Sequence, residues 1–174
     1  MKKFTALILV CVILSALFAS CGTHEAAKTL DALLASVKSG DFANASVIAN
    51  GPFANEDDVM MNAMYKNFDY KIGDVTKSGD GVEVAVTITM TDIGTVFANY
   101  MTEALENAAN SDWDSEDTRF VEMLGEDGVA TKTFDIKVNM VKESDAWTVA
   151  EENEALIDAL TGGLFSSLGN LVEE

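Results

Sequence analysis

Histidine and cysteine, the side chains that most often act as nucleophiles or bind zinc, are almost absent from this sequence. The 174 residues include one histidine, His24, and two cysteines, Cys11 and Cys21. This scarcity excludes histidine-based triads and zinc sites built from histidine and cysteine. A glycine-rich phosphate-binding loop is absent as well. Any catalytic function would therefore have to rest on carboxylates and tyrosines.

Basic residues are also few in this sequence. The chain has 29 acidic and 11 basic residues, and nine basic residues remain if Lys2 and Lys3 are removed with a leader, which gives a net charge of about −20. A field of this sign repels phosphate backbones and anionic lipid head groups, so nucleic acid is not an expected partner. Binding of cations or basic partners remains open. So does the simpler interpretation that the acidic surface keeps the protein soluble.

The N-terminus has the pattern of a secretory leader. Lys2 and Lys3 precede an uncharged run from Phe4 to Ser20, which matches a signal peptide over residues 1–20. This run is short for a membrane span, which takes about 20 apolar residues. The segment Leu17–Cys21 resembles the lipobox of bacterial lipoproteins, although Phe18 replaces the small aliphatic residue that is usual three places before the cysteine.

The lipobox resemblance implies cleavage before Cys21 and a lipid on its sulfur. Residues 21–24 would then be a short tether, and the protein would be anchored to the extracytoplasmic face of a cell membrane. Two alternatives stay open, an uncleaved anchor helix and cleavage without lipidation. Because Cys11 lies in the leader, the mature chain would have no disulfide. Residues 25–174 contain no repeat or linker and are expected to form one domain.

Apolar residues recur at helical spacing in six segments. In chain order, helices are predicted from Glu25 to before Gly40 with Thr23 as N-cap, from Asp41 to Ile48, from about Asn55 to Asn67, from Ile93 to Ala108 with Asp92 as N-cap, around Phe120–Leu124 up to Gly125, and over Leu156–Leu171. Gly162 and Gly163 interrupt the last segment, which is expected to kink or fray there.

Alternating apolar and polar residues predict strands in four places. These are the stretches containing Tyr70–Val75, Val82–Met90, Phe134–Met140 and Trp147–Val149, with turn sequences at Lys77–Gly81 and Glu143–Asp145. The turns predict two antiparallel hairpins. The expected fold class is α+β, with a curved antiparallel sheet of about four strands packed on N-terminal helices, a helical insertion between the hairpins and a C-terminal helix.

Two segments resemble the ends of a known domain type. Leu30–Leu34 with Lys38–Phe42, and Asp145–Val149, look like the corresponding segments of small lipoproteins with a nuclear-transport-factor-2-like, or cystatin-like, cone. The resemblance covers roughly residues 25–150. It implies a sheet wrapped around helices and a pocket on the concave side of the sheet, without assigning an activity.

Three kinds of site follow as hypotheses. An apolar pocket would be lined by aromatic and methionine side chains, namely Met64, Tyr70, Phe97, Tyr100, Phe134 and Trp147. An isomerase-like enzyme of the same fold would use an acid in an apolar pocket, with Asp69, Tyr70 and Asp135 as candidates. The acidic stretch 110–117 offers Asp112, Asp114 and Glu116 as calcium ligands, although it lacks the glycine and glutamate spacing of an EF-hand.

The sequence therefore favours a lipid-anchored extracytoplasmic binding domain for a small apolar ligand or a segment of an envelope protein. No cofactor is predicted. The alternatives are an interaction lipoprotein of the cell envelope whose cone is filled by its own helices, and a carboxylate-based enzyme. The interior would distinguish them, because an empty apolar pocket favours ligand binding, a pocket with an ionisable group favours catalysis, and a filled interior favours interaction.

Overall fold

The elements of the fold alternate between helices and hairpins. The computed structural model describes residues 24–43, 45, 58–109 and 118–172. In chain order the elements are α1 (Glu25–Lys38), α2 (Asp58–Tyr65), β1 (Asp69–Ser78), β2 (Gly81–Thr91), α3 (Ile93–Ala109), α4 (Thr118–Gly125), β3 (Thr131–Glu143), β4 (Ala146–Val149), α5 (Glu154–Leu160) and α6 (Leu164–Val172). The predicted α+β class is confirmed.

Three of the sequence predictions fall on residues that the structure does not describe. These are the leader over 1–20 with the lipidation site Cys21, most of the predicted helix from Asp41 to Ile48, and the acidic stretch 110–117. None of the described helices is long and apolar enough to span a bilayer.

The four strands form an antiparallel meander in the order β1-β2-β3-β4. Two-residue turns close both outer hairpins, because Ser78 pairs with Gly81 and Glu143 pairs with Ala146. In the second turn Ser144 and Asp145 both have positive φ, 46° and 72°, as in the type I′ turns that match the twist of paired strands. Both predicted hairpins are confirmed.

The alternation along β2 divides the sheet into two faces. Val84, Val86, Ile88 and Met90 are buried, whereas Ala85, Thr87 and Thr89 between them are partly exposed. The register places apolar residues of the neighbouring strands on the same face, with Tyr70 and Phe134 on either side of Ile88. The opposite face is polar and carries the Lys137–Glu83 ion pair at 2.9 Å.

Helices α1, α2 and α5 cover the apolar face of the sheet. Their buried side chains form a single core with β2 and β3, and its largest fully buried members include Leu30, Leu34, Met64, Leu156, Leu160, Ile88, Met90 and Met140. This core occupies the side of the sheet on which the sequence predicted a pocket.

The start of α1 differs from the sequence prediction, whereas its end confirms it. His24, not the predicted Thr23, is the N-cap, because its Nδ1 accepts the backbone N–H of Ala26 at 3.2 Å. At the other end Gly40 has φ +77°, and the N–H of Asp41 donates to the carbonyl of Ser36 at 2.9 Å. This is the glycine-based helix end that the sequence predicted.

The C-terminal region is two helices instead of one kinked helix. Gly162 and Gly163 both have positive φ, 60° and 76°, so the chain leaves the helical conformation between α5 and α6. A Cβ at Gly162 would collide with the carbonyl oxygen of Thr91 and would lie 2.9 Å from the Cβ of Ile93. The glycines are required both for the left-handed backbone and for close packing against the start of α3.

Candidate functional site

Tyr70 is half-buried and binds helix α1 instead of facing a cavity. Its hydroxyl donates to Oδ1 of Asp31 at 2.9 Å and to the Asp31 carbonyl at 3.2 Å. Burial, followed by this hydrogen bond, raises the pKa of Tyr70 to about 12. The hydroxyl is therefore protonated at neutral pH and connects β1 to α1.

The two candidate carboxylates of an isomerase-like site are exposed. Asp69 accepts a hydrogen bond from Lys38 Nζ at 2.6 Å, which lowers the pKa of Asp69 below its ordinary value. Asp135 accepts from the hydroxyl of Thr87 at 2.6 Å on the polar face of the sheet. The proposed chemistry needs a carboxyl whose pKa is raised by apolar surroundings. Neither residue has that environment.

Phe97 and Tyr100 lie together, but their partner is on α4. The ring of Phe120 lies 6.1 Å from that of Phe97 and 5.6 Å from that of Tyr100. Beside this cluster Arg119, the only arginine of the sequence, binds both carboxylate oxygens of Glu103 at 3.0 and 3.1 Å. The two aromatics thus belong to the contact between α3 and α4.

The other three predicted pocket residues belong to the hydrophobic core or pack against it. Met64 is 1% exposed and belongs to the core. Phe134 is half-buried and has the ammonium of Lys132 at 5.1 Å from its ring centroid. Trp147 meets the ring of His24 edge-on at 5.2 Å, at the start of α1.

The depressions lined by described residues include the following two. The larger is a groove of about 590 Å³ between α5 and α6, and the smaller, of about 200 Å³, lies between Lys71 and Asp135 on the sheet. None of the six predicted pocket residues lines either one. Within the described ranges no three histidine, cysteine or acidic residues are grouped closely enough to hold a metal ion. The calcium candidates Asp112, Asp114 and Glu116 lie outside those ranges.

Exposed apolar side chains are concentrated on α3 and α6. Leu105 is 67% exposed, Phe165 45%, Met101 41% and Leu168 37%. These four residues define what we call the α3–α6 surface. Another exposed apolar residue in the described part of the chain, Val59 at 66%, belongs to α2.

A very close helix contact fixes α6 against α3. The backbone of Gly94 has no room for a side chain, since a Cβ there would collide with the hydroxyl of Ser167 and lie 2.9 Å from the carbonyl oxygen of Gly163. Met101 and Leu105 follow Gly94 by seven and eleven residues and therefore lie on the same side of α3. Gly163 and Ser167 thus hold the beginning of α6 against the start of α3.

The groove between α5 and α6 shares Phe165 with the α3–α6 surface. Its walls are Glu154, Ala155, Ile157 and Asp158 from α5, and Phe165 and Ser166 from α6. Asp158 fixes the geometry of the groove, because its carboxylate accepts the backbone N–H of Ser166 at 2.9 Å and the Ser166 hydroxyl at 2.5 Å. Its volume is within the range of small-molecule sites, about 300–1,000 Å³.

The helices that carry these residues contain acidic charges alone, although Arg119 binds Glu103 and the ammonium of Lys132 lies beside Gly163. Residues 93–109 and 154–172 contain Glu103, Glu106, Glu154 and Asp158 and no lysine or arginine. The arrangement can therefore bind an apolar group and would attract a positive charge placed beside it.

Comparisons with protein-family models, with curated proteins and with solved structures give no match to this chain. The resemblance to cone-shaped lipoprotein domains accordingly stays a prediction.

The distribution of apolar residues around α6 is a sequence feature that points to this surface, although helical periodicity alone did not predict it. In α6 apolar residues occur on more than one side, as the neighbouring pair Leu164 and Phe165 indicates. A helix that is apolar all round is expected to be buried. In the structure α6 is covered on only part of its circumference, because Phe165 and Leu168 are exposed.

Proposed function

We propose that this chain is a lipid-anchored extracytoplasmic interaction domain that binds a protein partner of the cell envelope through its α3–α6 surface. The lipid on Cys21 would hold the domain at the membrane. The folded part would supply the binding surface.

The observation that carries the proposal is the contrast between the two sides of the domain. The apolar face of the sheet is covered by α1, α2 and α5, with Leu30, Leu34 and Leu156 fully buried. Leu105 and Phe165 are in contrast exposed at 67% and 45%. The proposal takes these exposed residues to act together as one patch, as binding surfaces do.

A second candidate function is binding of a small apolar molecule in the groove between α5 and α6. Its volume of about 590 Å³ supports this candidate. Native mass spectrometry of the full-length protein, extracted from its own membranes, would distinguish the two. A stoichiometric small-molecule adduct that is lost in Phe165→Ser would favour the ligand.

The anchor is tested by intact-mass measurement of the mature protein. We expect an N-terminus at Cys21 and the added mass of a diacylglyceryl group. In Cys21→Ser the protein should no longer be lipidated and should leave the membrane fraction on washing. An unmodified thiol at Cys21 would contradict the anchoring part of the proposal.

The interaction is tested by photo-cross-linking in intact cells. A benzoylphenylalanine replaces Leu105 in one variant and Val59 in the control, since both side chains are about two-thirds exposed. We expect a discrete protein adduct from position 105 and none from position 59. Identical adducts from both positions, or none from position 105, would contradict a partner at the α3–α6 surface.

A further inference from the structure

Most of strand β3 lies at an open edge of the sheet. Strand β4 pairs with β3 only over Met140–Glu143, whereas β3 begins at Thr131. Within the described part of the chain, the stretch Thr131–Val138 therefore has β2 on one side and no strand on the other. Unpaired backbone groups at the edge of a sheet can accept a further strand.

The backbone groups of alternate β3 residues point toward this open side. Asn139 shows the direction, because its N–H and carbonyl bind the side chain of Asn153 at 2.8 and 3.1 Å. In an antiparallel ladder every second residue points its N–H and carbonyl the same way. Thr133, Asp135 and Lys137 thus each direct an N–H and a carbonyl to the open edge, and no hydrogen bond from the described residues reaches these groups.

Solvent reaches this edge. The side chains of Thr133, Asp135 and Lys137 are all exposed. Helix α5, which packs against β3, turns Leu156 and Leu160 into the core, where both are buried. Buried backbone groups are almost always paired, so the unpaired groups beside these exposed side chains face water. The edge is therefore available to a partner.

The opposite edge of the sheet, strand β1, is protected. Its register with β2 shifts between Ile72 and Val75, and the N–H of Tyr70 is already bound to Oδ1 of Asp69 at 2.9 Å. The pairing of β2 with β3 runs without a shift over Val82–Thr91. Bulges blunt an edge strand, and an occupied N–H cannot donate to a partner. The regular edge of β3 is thus the better site for strand addition.

The side chains along the β3 edge specify the sequence pattern of the added strand. Phe134 and Ile136 are half-buried and pack against the core on the apolar face, so apolar side chains of an added strand would cover their exposed sides. On the opposite face the side chains are polar and already bind residues of β2, as Asp135 and Lys137 do. The pattern that fits both faces alternates apolar and polar residues.

From these observations we infer that the open edge of β3 over Thr131–Val138 binds an extended segment of a partner protein, which adds antiparallel to β3 and alternates apolar with polar residues. Antiparallel addition continues the pattern of the sheet and is the more stable arrangement per residue. A second copy of this chain is a poorer occupant, because each chain has a formal net charge of −18 and two copies would repel each other. The inference goes beyond the α3–α6 surface and does not depend on it.

The test uses two peptides of about eight residues, the length of the open stretch, in which threonine and valine alternate. In antiparallel pairing the threonines share the polar face with Thr133, Asp135 and Lys137 and donate their N–H groups to β3, while the valine N–H groups point away. One peptide is N-methylated on its valines and the other on its threonines. We expect the valine-methylated peptide to bind and the threonine-methylated peptide to bind at least about tenfold more weakly.

Binding is followed by amide NMR on the full chain in detergent micelles. In the free protein the amides of Thr133, Asp135 and Lys137 should exchange with solvent faster than those of Phe134 and Ile136, which point toward β2. The valine-methylated peptide should slow exchange at the first three positions and change it little at the other two.

Variants of Asp135 separate the backbone from the side chain. Asp135→Pro removes one N–H that points outward, a change that edge strands tolerate, and should weaken binding of the valine-methylated peptide at least about tenfold. The matched control Asp135→Ala keeps the N–H and should bind like the wild type. Far-ultraviolet circular dichroism checks that both variants are folded.

The inference is overturned if the two peptides bind equally or neither binds, or if the amides of Thr133, Asp135 and Lys137 exchange as slowly in the free protein as those of Phe134 and Ile136. Protection of β1 amides by the peptide would also overturn it, since the strand would then add to the other edge. So would a dimer in sedimentation that Asp135→Pro dissociates. The cross-link at position 105 tests the α3–α6 surface separately, so failure of one proposal leaves the other standing.

Discussion

The side chain of Asn153 binds the backbone of Asn139 on both of its polar groups. Oδ1 of Asn153 accepts the N–H of Asn139 at 2.8 Å, and Nδ2 donates to the Asn139 carbonyl at 3.1 Å and to the Ala150 carbonyl at 2.6 Å. Asn153 is also the N-cap residue of α5, yet its side chain makes no capping hydrogen bond. The amide thus joins the end of the sheet to the start of α5.

Removal of this amide should destabilise the domain substantially. Asn153 is 6% exposed, so Asn153→Ala would remove the acceptor of the Asn139 N–H and the side-chain donor to the Ala150 carbonyl, while the Asn139 carbonyl would keep the N–H of Ala150; we expect a cost of about 2–3 kcal/mol. Urea denaturation followed by circular dichroism measures the change. Asn139→Ala is the control, because Asn139 takes part in the contact only through its backbone. We expect this variant to lose less than about 0.5 kcal/mol of unfolding free energy. Equal losses in the two variants would contradict this account.

The elements defined by local signals were predictable from the sequence. Alternation along Val82–Met90, the glycine at position 40 and the turn at Ser144–Asp145 each specify structure within a few residues. The tie between Asn153 and Asn139 links residues 14 positions apart. Periodicity contains no information about such a contact, and it was not predicted.

The candidate site was less predictable because it depends on which helix faces pair. Phe97 and Tyr100 fit a pocket by composition, but their packing partner, Phe120, is set by the fold of the α3–α4 region. In the same way the exposure of Leu105 follows from α6 covering only part of α3. Residue type alone could not distinguish a side chain that lines a pocket from one that joins two helices.

The break between α5 and α6 should depend on Gly162. In Gly162→Ala the new Cβ would both occupy a left-handed backbone conformation and press against Thr91 and Ile93, so we expect a loss of at least about 2 kcal/mol. Thermal unfolding provides the measurement. Gly169→Ala is the matched control, because Gly169 lies within α6 and a Cβ there would meet no atom within 4 Å. That variant should be more stable than the wild type, by up to about 1 kcal/mol.

Asp92 should stabilise the start of α3 as its N-cap. Its Oδ1 accepts the backbone N–H of Thr95 at 3.1 Å and its Oδ2 accepts the Thr95 hydroxyl at 2.9 Å. Asp92→Ala is expected to lower the free energy of unfolding by about 1 kcal/mol. Asp92→Asn retains a side-chain acceptor for the N–H and should lose roughly half as much or less. An equal loss in both variants would indicate that the negative charge, not the cap, is what matters.

The hydrogen bond from Tyr70 to Asp31 should make stability depend on pH in the alkaline range. In the folded protein the pKa of Tyr70 is raised to about 12, whereas in the unfolded chain it is about 10. Between these values the unfolded chain has released a proton that the folded protein still holds. The contribution of Tyr70 is therefore fully present below about pH 10 and is lost as the pH rises toward 12.

Comparison with Tyr70→Phe isolates this contribution from that of Tyr65, whose pKa is also raised by burial. At pH 8 the variant should be less stable by about 1 kcal/mol, since it lacks the hydrogen bond to Asp31. As the pH rises from 10 to 12 the wild type should lose stability faster than the variant, so the difference between them should shrink toward zero. Urea denaturation at a series of pH values measures it. A difference that stays constant up to pH 12 would mean that Tyr70 ionises no later in the folded protein than in the unfolded chain.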